Sequence, residues 1–114
     1  MKISYDSINE VCVTFKYTGD LSEGSLVKMT VDGTVTEASV DDIFIGVVKA
    51  VGDGICTVQV AGFVTVYQDN GMPTIGWTDL VCDGFGNVID GSGNGRYCLV
   101  VEADLNSNKL TFMM

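Results

Sequence analysis

The stretch "DGTVTEASVDDIFIGVVKAVGDGICTVQV", residues 32–60, decides the fold. It reads as three short runs, "TVTEA", "IFIGVVKA" and "ICTVQV", rich in β-branched residues and divided by turn signals. Such runs are strands because branched side chains suit a pleated surface. The "DG" dipeptides at Asp32–Gly33 and Asp53–Gly54 are hairpin turns, since glycine takes positive φ at little cost. Working outward, "EVCVTFKY", "SLVKMTV", "FVTVY", "DLVCD", "RYCLVVEA" and "KLTFMM" carry the same signature, and no segment holds a helical period long enough to stand. In the first of them Val11, Val13, Phe15 and Tyr17 share one face, and Cys12, Thr14 and Lys16 the other. The fold class is therefore all-β, a small barrel or sandwich of short antiparallel strands, in a single domain over residues 1–114.

The same stretch echoes further on. Laid over "FGNVIDGSGNGRYCLVVEADLNSNKLTFMM", it places Gly33 and Val35 on Gly86 and Val88, Phe44 on Tyr97, and Val47, Val48 and Ala50 on Val100, Val101 and Ala103. After one residue of slippage, Thr57 and Val58 fall on Thr111 and Phe112. The order of features repeats as well, which predicts an internal pseudo-two-fold repeat with halves at residues 24–60 and 76–114.

Composition narrows the chemistry. Fifteen acids against six bases give a net charge of −9, and the bases are scattered singly, so a nucleic-acid backbone would find no basic stripe. There is no histidine, hence neither the commonest general base nor the commonest metal ligand. No run matches a phosphate loop or a nucleophile elbow, and no apolar run approaches the ~18 residues of a membrane span. Cys12, Cys56, Cys82 and Cys98 lie far apart inside apolar runs and read as small buried thiols. The N-terminus shows no signal-peptide pattern, which places synthesis in a cytoplasm.

Three local motifs invite a functional reading. "DGSGNG", residues 90–95, opens like an EF-hand loop, with Asp90, Ser92, Asn94 and Gly95 in place. Position twelve, however, is Val101 where a bidentate glutamate is required, so a hairpin tip is expected. Asp41 and Asp42 are turn residues rather than a catalytic pair, because neighbours on a strand face opposite ways. "DNGMPTIGW", residues 69–77, joins the two halves and carries Met72, Ile75 and Trp77, an apolar load suited either to the domain's own core or to a protein interface. Tyr67, Trp77 and Tyr97 are aromatic rings of the kind that stack on a sugar.

Taken together, "GDLSEGSLVKMTVDGTVTEASVDDIFIGVVKAVGDGICTVQVAGFVTV" and "NVIDGSGNGRYCLVVEADLNSNKLTFMM" resemble the head decoration, or capsid cement, proteins of tailed bacteriophages. Gly24, Leu26, Val27, Asp32, Gly33, Gly46, Val47, Thr57, Val58 and Gly62 carry the likeness in the first half. In the second it rests on Asn87, Val88, Gly95, Leu99, Val100, Ala103, Leu110, Thr111 and Phe112. The resemblance implies a β-tulip-like fold, a homotrimer and attachment to the major capsid protein on the outer surface of an expanded phage head. It implies no catalytic residue, cofactor, metal, nucleic acid, membrane or small-molecule substrate. Some family members carry a long N-terminal arm; here residues 1–9 are a short candidate, with Ile3 and Tyr5 as alternate anchors for adding a strand to a sheet edge. A different class, a carbohydrate- or host-binding module of a phage head fibre, is the alternative that the aromatic residues support.

Overall fold

A computed structural model describes residues 10–68, 73–84, 86–91 and 93–114. Among them are ten strands and no helix. They are β1 (Val11–Tyr17), β2 (Leu26–Val31), β3 (Thr34–Glu37), β4 (Gly46–Gly52), β5 (Ile55–Ala61), β6 (Phe63–Tyr67), β7 (Gly76–Cys82), β8 (Val88–Asp90), β9 (Arg96–Asp104) and β10 (Lys109–Met113). Every strand expected from the sequence is present. β8 is an addition, three residues too short to stand out as a run. β7 starts earlier than expected because Gly76, Trp77 and Thr78 pair with Val100, Leu99 and Cys98, so Trp77 belongs to a strand and not to a connector.

The first five strands close into a barrel in the order β1-β3-β2-β4-β5. One pairing, β1 with β3, is parallel, through Lys16↔Thr34 and Tyr17↔Val35. This departs from the purely antiparallel expectation for a topological reason: strand directions cannot alternate all the way round a closed ring with an odd number of members. The other five strands form a sheet in the order β6-β10-β9-β7-β8.

The two units share one plan. Val13↔Val58 and Thr14↔Thr57 in the barrel reappear as Val64↔Phe112 and Thr65↔Thr111. Val27↔Glu37 and Met29↔Val35 reappear as Leu80↔Asp90 and Cys82↔Val88. Even the bulge returns. Val48↔Val58 is followed by Ala50↔Thr57, as Val100↔Phe112 is followed by Glu102↔Thr111, leaving Lys49 and Val101 as the extra residues. The register therefore equates Val48 with Val100, one residue away from the sequence alignment, because the turn at residues 105–108 is longer than that at 53–54. Phe44 and Tyr97 consequently lose their match: Phe44 is wholly buried and Tyr97 is 65% exposed.

The units differ at the seam. Where β1 lies against β3, the corresponding β6 and β8 are not neighbours. Gln68, 2% exposed, stands in for the missing ladder: its side-chain carbonyl accepts from the Val88 N–H at 3.1 Å, and its amide nitrogen donates to the Val88 carbonyl.

Two apolar clusters follow from this plan. Val27, Val35, Val48, Cys56 and Val58 fill the barrel, with Phe15 and Tyr17 packed against them. Leu80, Val88, Cys98, Val100, Leu110 and Phe112 form the inner face of the second sheet, and Leu26, Ala38, Phe44 and Val47 reach into it from the barrel unit. Phe44 meets Phe112 edge-on at 6.1 Å. Arg96 of β9 donates across the junction to the carbonyls of Ile45 (2.7 Å) and Val60 (3.1 Å). A small shared core and charge-assisted bonds thus join the units.

The shared face of β1 is only partly covered, and one reading of this strand, that of Cys12, is corrected. Val11 and Val13 are 50% and 39% exposed, since the face they share with Phe15 and Tyr17 runs past the end of the barrel core. Cys12 is exposed rather than buried, because its side of β1 is the outside of the barrel. The other three thiols are buried, and burial pushes that of Cys98 up to about 11.

Asp41 and Asp42 do lie in a turn, where Asp41 has a φ of 63°. The Asp41 N–H donates to the Cys82 carbonyl and the Cys82 N–H to the Asp42 carbonyl, at 2.8 and 3.0 Å. The Asp42 carboxylate accepts from Lys28 Nζ and from the Ser39 N–H, both at 2.7 Å, and these bonds hold its pKa below the ordinary value. A depressed folded-state pKa gives stability that is complete above the unfolded value near 4 and is lost as the pH falls through the folded one. Asp42→Asn should therefore lower stability at neutral pH and flatten the acid limb of a stability-versus-pH curve measured by urea unfolding.

Candidate interaction surface

Opposed residues of an antiparallel pair share a face. In the second sheet the registers Phe63↔Met113, Met113↔Leu99 and Leu99↔Trp77 line up four apolar side chains across β6, β10, β9 and β7. At ~4.8 Å between strands this row is about 14 Å wide. The alternate residues, Val64, Phe112, Val100 and Cys98, point into the core, so the row faces outward. Phe63, Met113 and Leu99 are half-buried, whereas Trp77 is 65% exposed. Tyr97 is diagonal to Trp77 on the same face, within reach of a large ring. An outer sheet face is ordinarily polar. This one carries an apolar row where β6 begins and β10 stops, which makes it a candidate contact surface.

The loop at residues 90–95 borders that face, and its chemistry is the reverse of a cation site. Asp79, opposite Tyr97 in β7, projects into the loop. Its Oδ2 accepts from the N–H groups of Gly93 (2.8 Å) and Gly95 (3.0 Å), while the Gly91 N–H donates to the Asp79 carbonyl at 3.0 Å. Backbone donors converge here on an anion supplied by the chain itself. The glycines have steric reasons: a Cβ on Gly91 would lie 2.6 Å from Asp79 Oδ2, one on Gly95 would lie 2.6 Å from the Leu80 carbonyl oxygen, and Gly93 has a φ of 93°. Among the described residues no three His, Cys, Asp or Glu side chains are grouped to hold a metal ion.

Two open clefts flank β6. One, of 480 Å³, is lined by residues 22–26, Glu37, Ala38, Thr65, Val66, Tyr67, Cys82, Gly84 and Gly86. The other, of 540 Å³, is lined by Glu10, Glu23, Gly24, Val47, Val48, Lys49, Gln59, Phe63, Val64 and Thr65. They share Glu23, Gly24 and Thr65, so they adjoin each other beside β6. Glu10 is engaged there, 3.8 Å from Lys49 and accepting from Cys12 Sγ at 3.4 Å.

Of the interface residues expected from the sequence, Ile3, Tyr5 and Met72 lie outside the described residues. Ile75 and Trp77 are 57% and 65% exposed, so neither packs in the core. Tyr67 is exposed as well, opposite Lys109 on the outer face. Sequence reasoning missed Phe63, Leu99 and Met113, whose membership of the row depends on cross-strand register, and Asp79. The alternation of Trp77 and Asp79 along one run was the available signal. Trp77→Ala should cost only about 0.2–1 kcal/mol, the worth of a cross-strand pair. A thermal melt checks this, and a loss typical of a core aromatic would contradict the exposed placement.

No protein-family model, no curated protein and no solved structure matches the chain.

Proposed function

We propose that the chain is a virion structural protein, a decoration or cement protein that binds the major capsid protein on the outer surface of an icosahedral phage head and stabilises the shell. One observation carries the reading: the apolar row Phe63–Met113–Leu99–Trp77 on the solvent side of the second sheet, a surface of the kind that suits contact with another protein. The sequence resemblance supplies the kind of partner. Synthesis in the host cytoplasm followed by attachment to the finished shell fits this role, as does a homotrimer. Many modest contacts repeated over one shell add up to tight attachment through avidity. No cofactor, nucleic acid, membrane or small-molecule substrate enters the proposal.

Co-sedimentation with purified heads tests it. Binding to expanded but not to unexpanded shells is expected, together with a trimer by light scattering and loss of binding in Trp77→Asp. A monomer that binds neither shell overturns the proposal. A second reading, a carbohydrate- or host-binding module of a head fibre, has its own support: Trp77 and Tyr97, both 65% exposed, lie diagonally on one face, where rings could stack on a sugar. Confident glycan-array hits that vanish with Trp77→Ala would select it.

A further inference from the structure

Asn94 and Gly95 lead into β9, in the turn that the Asn94 N–H closes by donating to the Gly91 carbonyl at 3.0 Å. Packing imposes the second member of this pair. A Cβ on Gly95 would lie 2.6 Å from the Leu80 carbonyl oxygen and 2.9 Å from the Leu80 nitrogen, both of them backbone, so only glycine fits after Asn94. An asparagine followed by glycine is also a dipeptide prone to modify itself, because no side chain shields the glycine nitrogen from the asparagine amide. Asn94 is exposed, so water reaches it. In that reaction the Gly95 nitrogen attacks Asn94 Cγ. The N–Cγ bond forms, the Cγ–Nδ2 bond breaks, and Nδ2 leaves as ammonia with the proton that the Gly95 nitrogen gives up. Water then opens the cyclic imide at either carbonyl, leaving aspartate or isoaspartate at position 94.

We propose that Asn94–Gly95 is a self-modification site that Asp79 holds inactive in the folded chain. The attacking nitrogen is the one whose N–H donates to Asp79 Oδ2, at 3.0 Å. The same oxygen accepts from the Gly93 N–H at 2.8 Å, so the main chain is held on both sides of Asn94. Attack requires the Gly95 nitrogen to turn toward Cγ and to lose its proton. Turning gives up a charge-assisted bond, and negative charge growing on the nitrogen would face a carboxylate. That carboxylate is itself well placed: Asp79 is 8% exposed, its carbonyl accepts from the Gly91 N–H, and its register opposite Tyr97 is fixed by β7 and β9. The rate at Asn94 is therefore set by how often the turn releases Asp79. Once it has happened, the change reinforces itself. Either product puts a second carboxylate into the turn that holds the first, and isoaspartate also lengthens the main chain where it packs on Leu80. Tyr97 follows on the same strand, so the conversion is a slow, one-way change at the border of the outer face. The proposal concerns the chain alone and does not depend on what that face binds.

Site-resolved mass spectrometry of the full chain, incubated in warm neutral buffer, tests it. Conversion at Asn94 should be at least about tenfold slower in the folded protein than in urea, and about tenfold faster in Asp79→Asn than in the unaltered chain, the worth of one hydrogen bond to a charged group. Amide exchange at Val100 and Leu110 should stay unchanged in that variant, which separates a freed turn from a loosened core. In the unaltered chain the Gly93 and Gly95 amides should exchange slowly, a readout that decides the matter even where Asp79→Asn fails to fold. Equal conversion in folded and unfolded protein overturns the proposal, as do unprotected Gly93 and Gly95 amides. Unchanged conversion in a folded Asp79→Asn overturns it too. Slower conversion there would make the carboxylate the base that draws off the proton, and overturns it equally.

Discussion

Phe44→Ala is expected to remove about 3–5 kcal/mol of stability, the range for truncating a buried phenylalanine. The side chain is wholly buried, its ring meets that of Phe112 at 6.1 Å, and it belongs to the barrel unit while lying in the core of the second sheet. Its loss therefore opens a cavity at the place where the units hold each other. Small domains have only about 5–15 kcal/mol in total, so the variant should be near its unfolding limit at physiological temperature. Urea unfolding measures this. Phe44→Leu, which keeps most of the volume, should lose much less, and a loss below about 1 kcal/mol for the alanine variant would refute the shared core.

Gly46→Ala is the second large effect, and its cause is overpacking. A Cβ at this position would lie 2.1 Å from the Gln59 carbonyl oxygen and 2.7 Å from Val58 Cγ1. The first of these is backbone, so relief requires β4 and β5 to part where β2 also pairs, at Val27↔Gly46. A cost at or above the usual 1–3 kcal/mol for overpacking is expected. Gly52 is the control on the same strand. A Cβ there meets nothing within 4 Å, and its backbone is ordinary, so Gly52→Ala should be neutral or stabilise slightly by restricting the unfolded chain. Thermal melts of the two variants should move apart, and equal melting temperatures would show that the close approach at Gly46 is not real.

Legibility of the candidate surface followed the range of the forces involved. Ile75 and Trp77 were visible as an apolar load in a turn-rich stretch, but their exposure was not, because a tryptophan beside a strand is equally compatible with core and surface. The rest of the row could not be read, since Phe63 meets Met113 and Met113 meets Leu99 only through registers formed between distant segments. Tyr97 shows the same limit. Its neighbours repeat those of Phe44, yet two extra turn residues at 105–108 move the register and send the two rings to opposite environments.

By itself the sequence determined the strands, the turns and the all-β class, because those depend on side-chain shape, period-two alternation and the φ tolerance of glycine within a few residues. It also determined the absence of histidine chemistry and of a basic stripe. Tertiary structure alone decided that five strands close through one parallel pair, that Gln68 bridges the seam the second unit leaves open, and that Asp79 fills the loop at residues 90–95. Each of these depends on which distant strands become neighbours. That choice is made by closure and by the burial of a common core, and no local pattern encodes it.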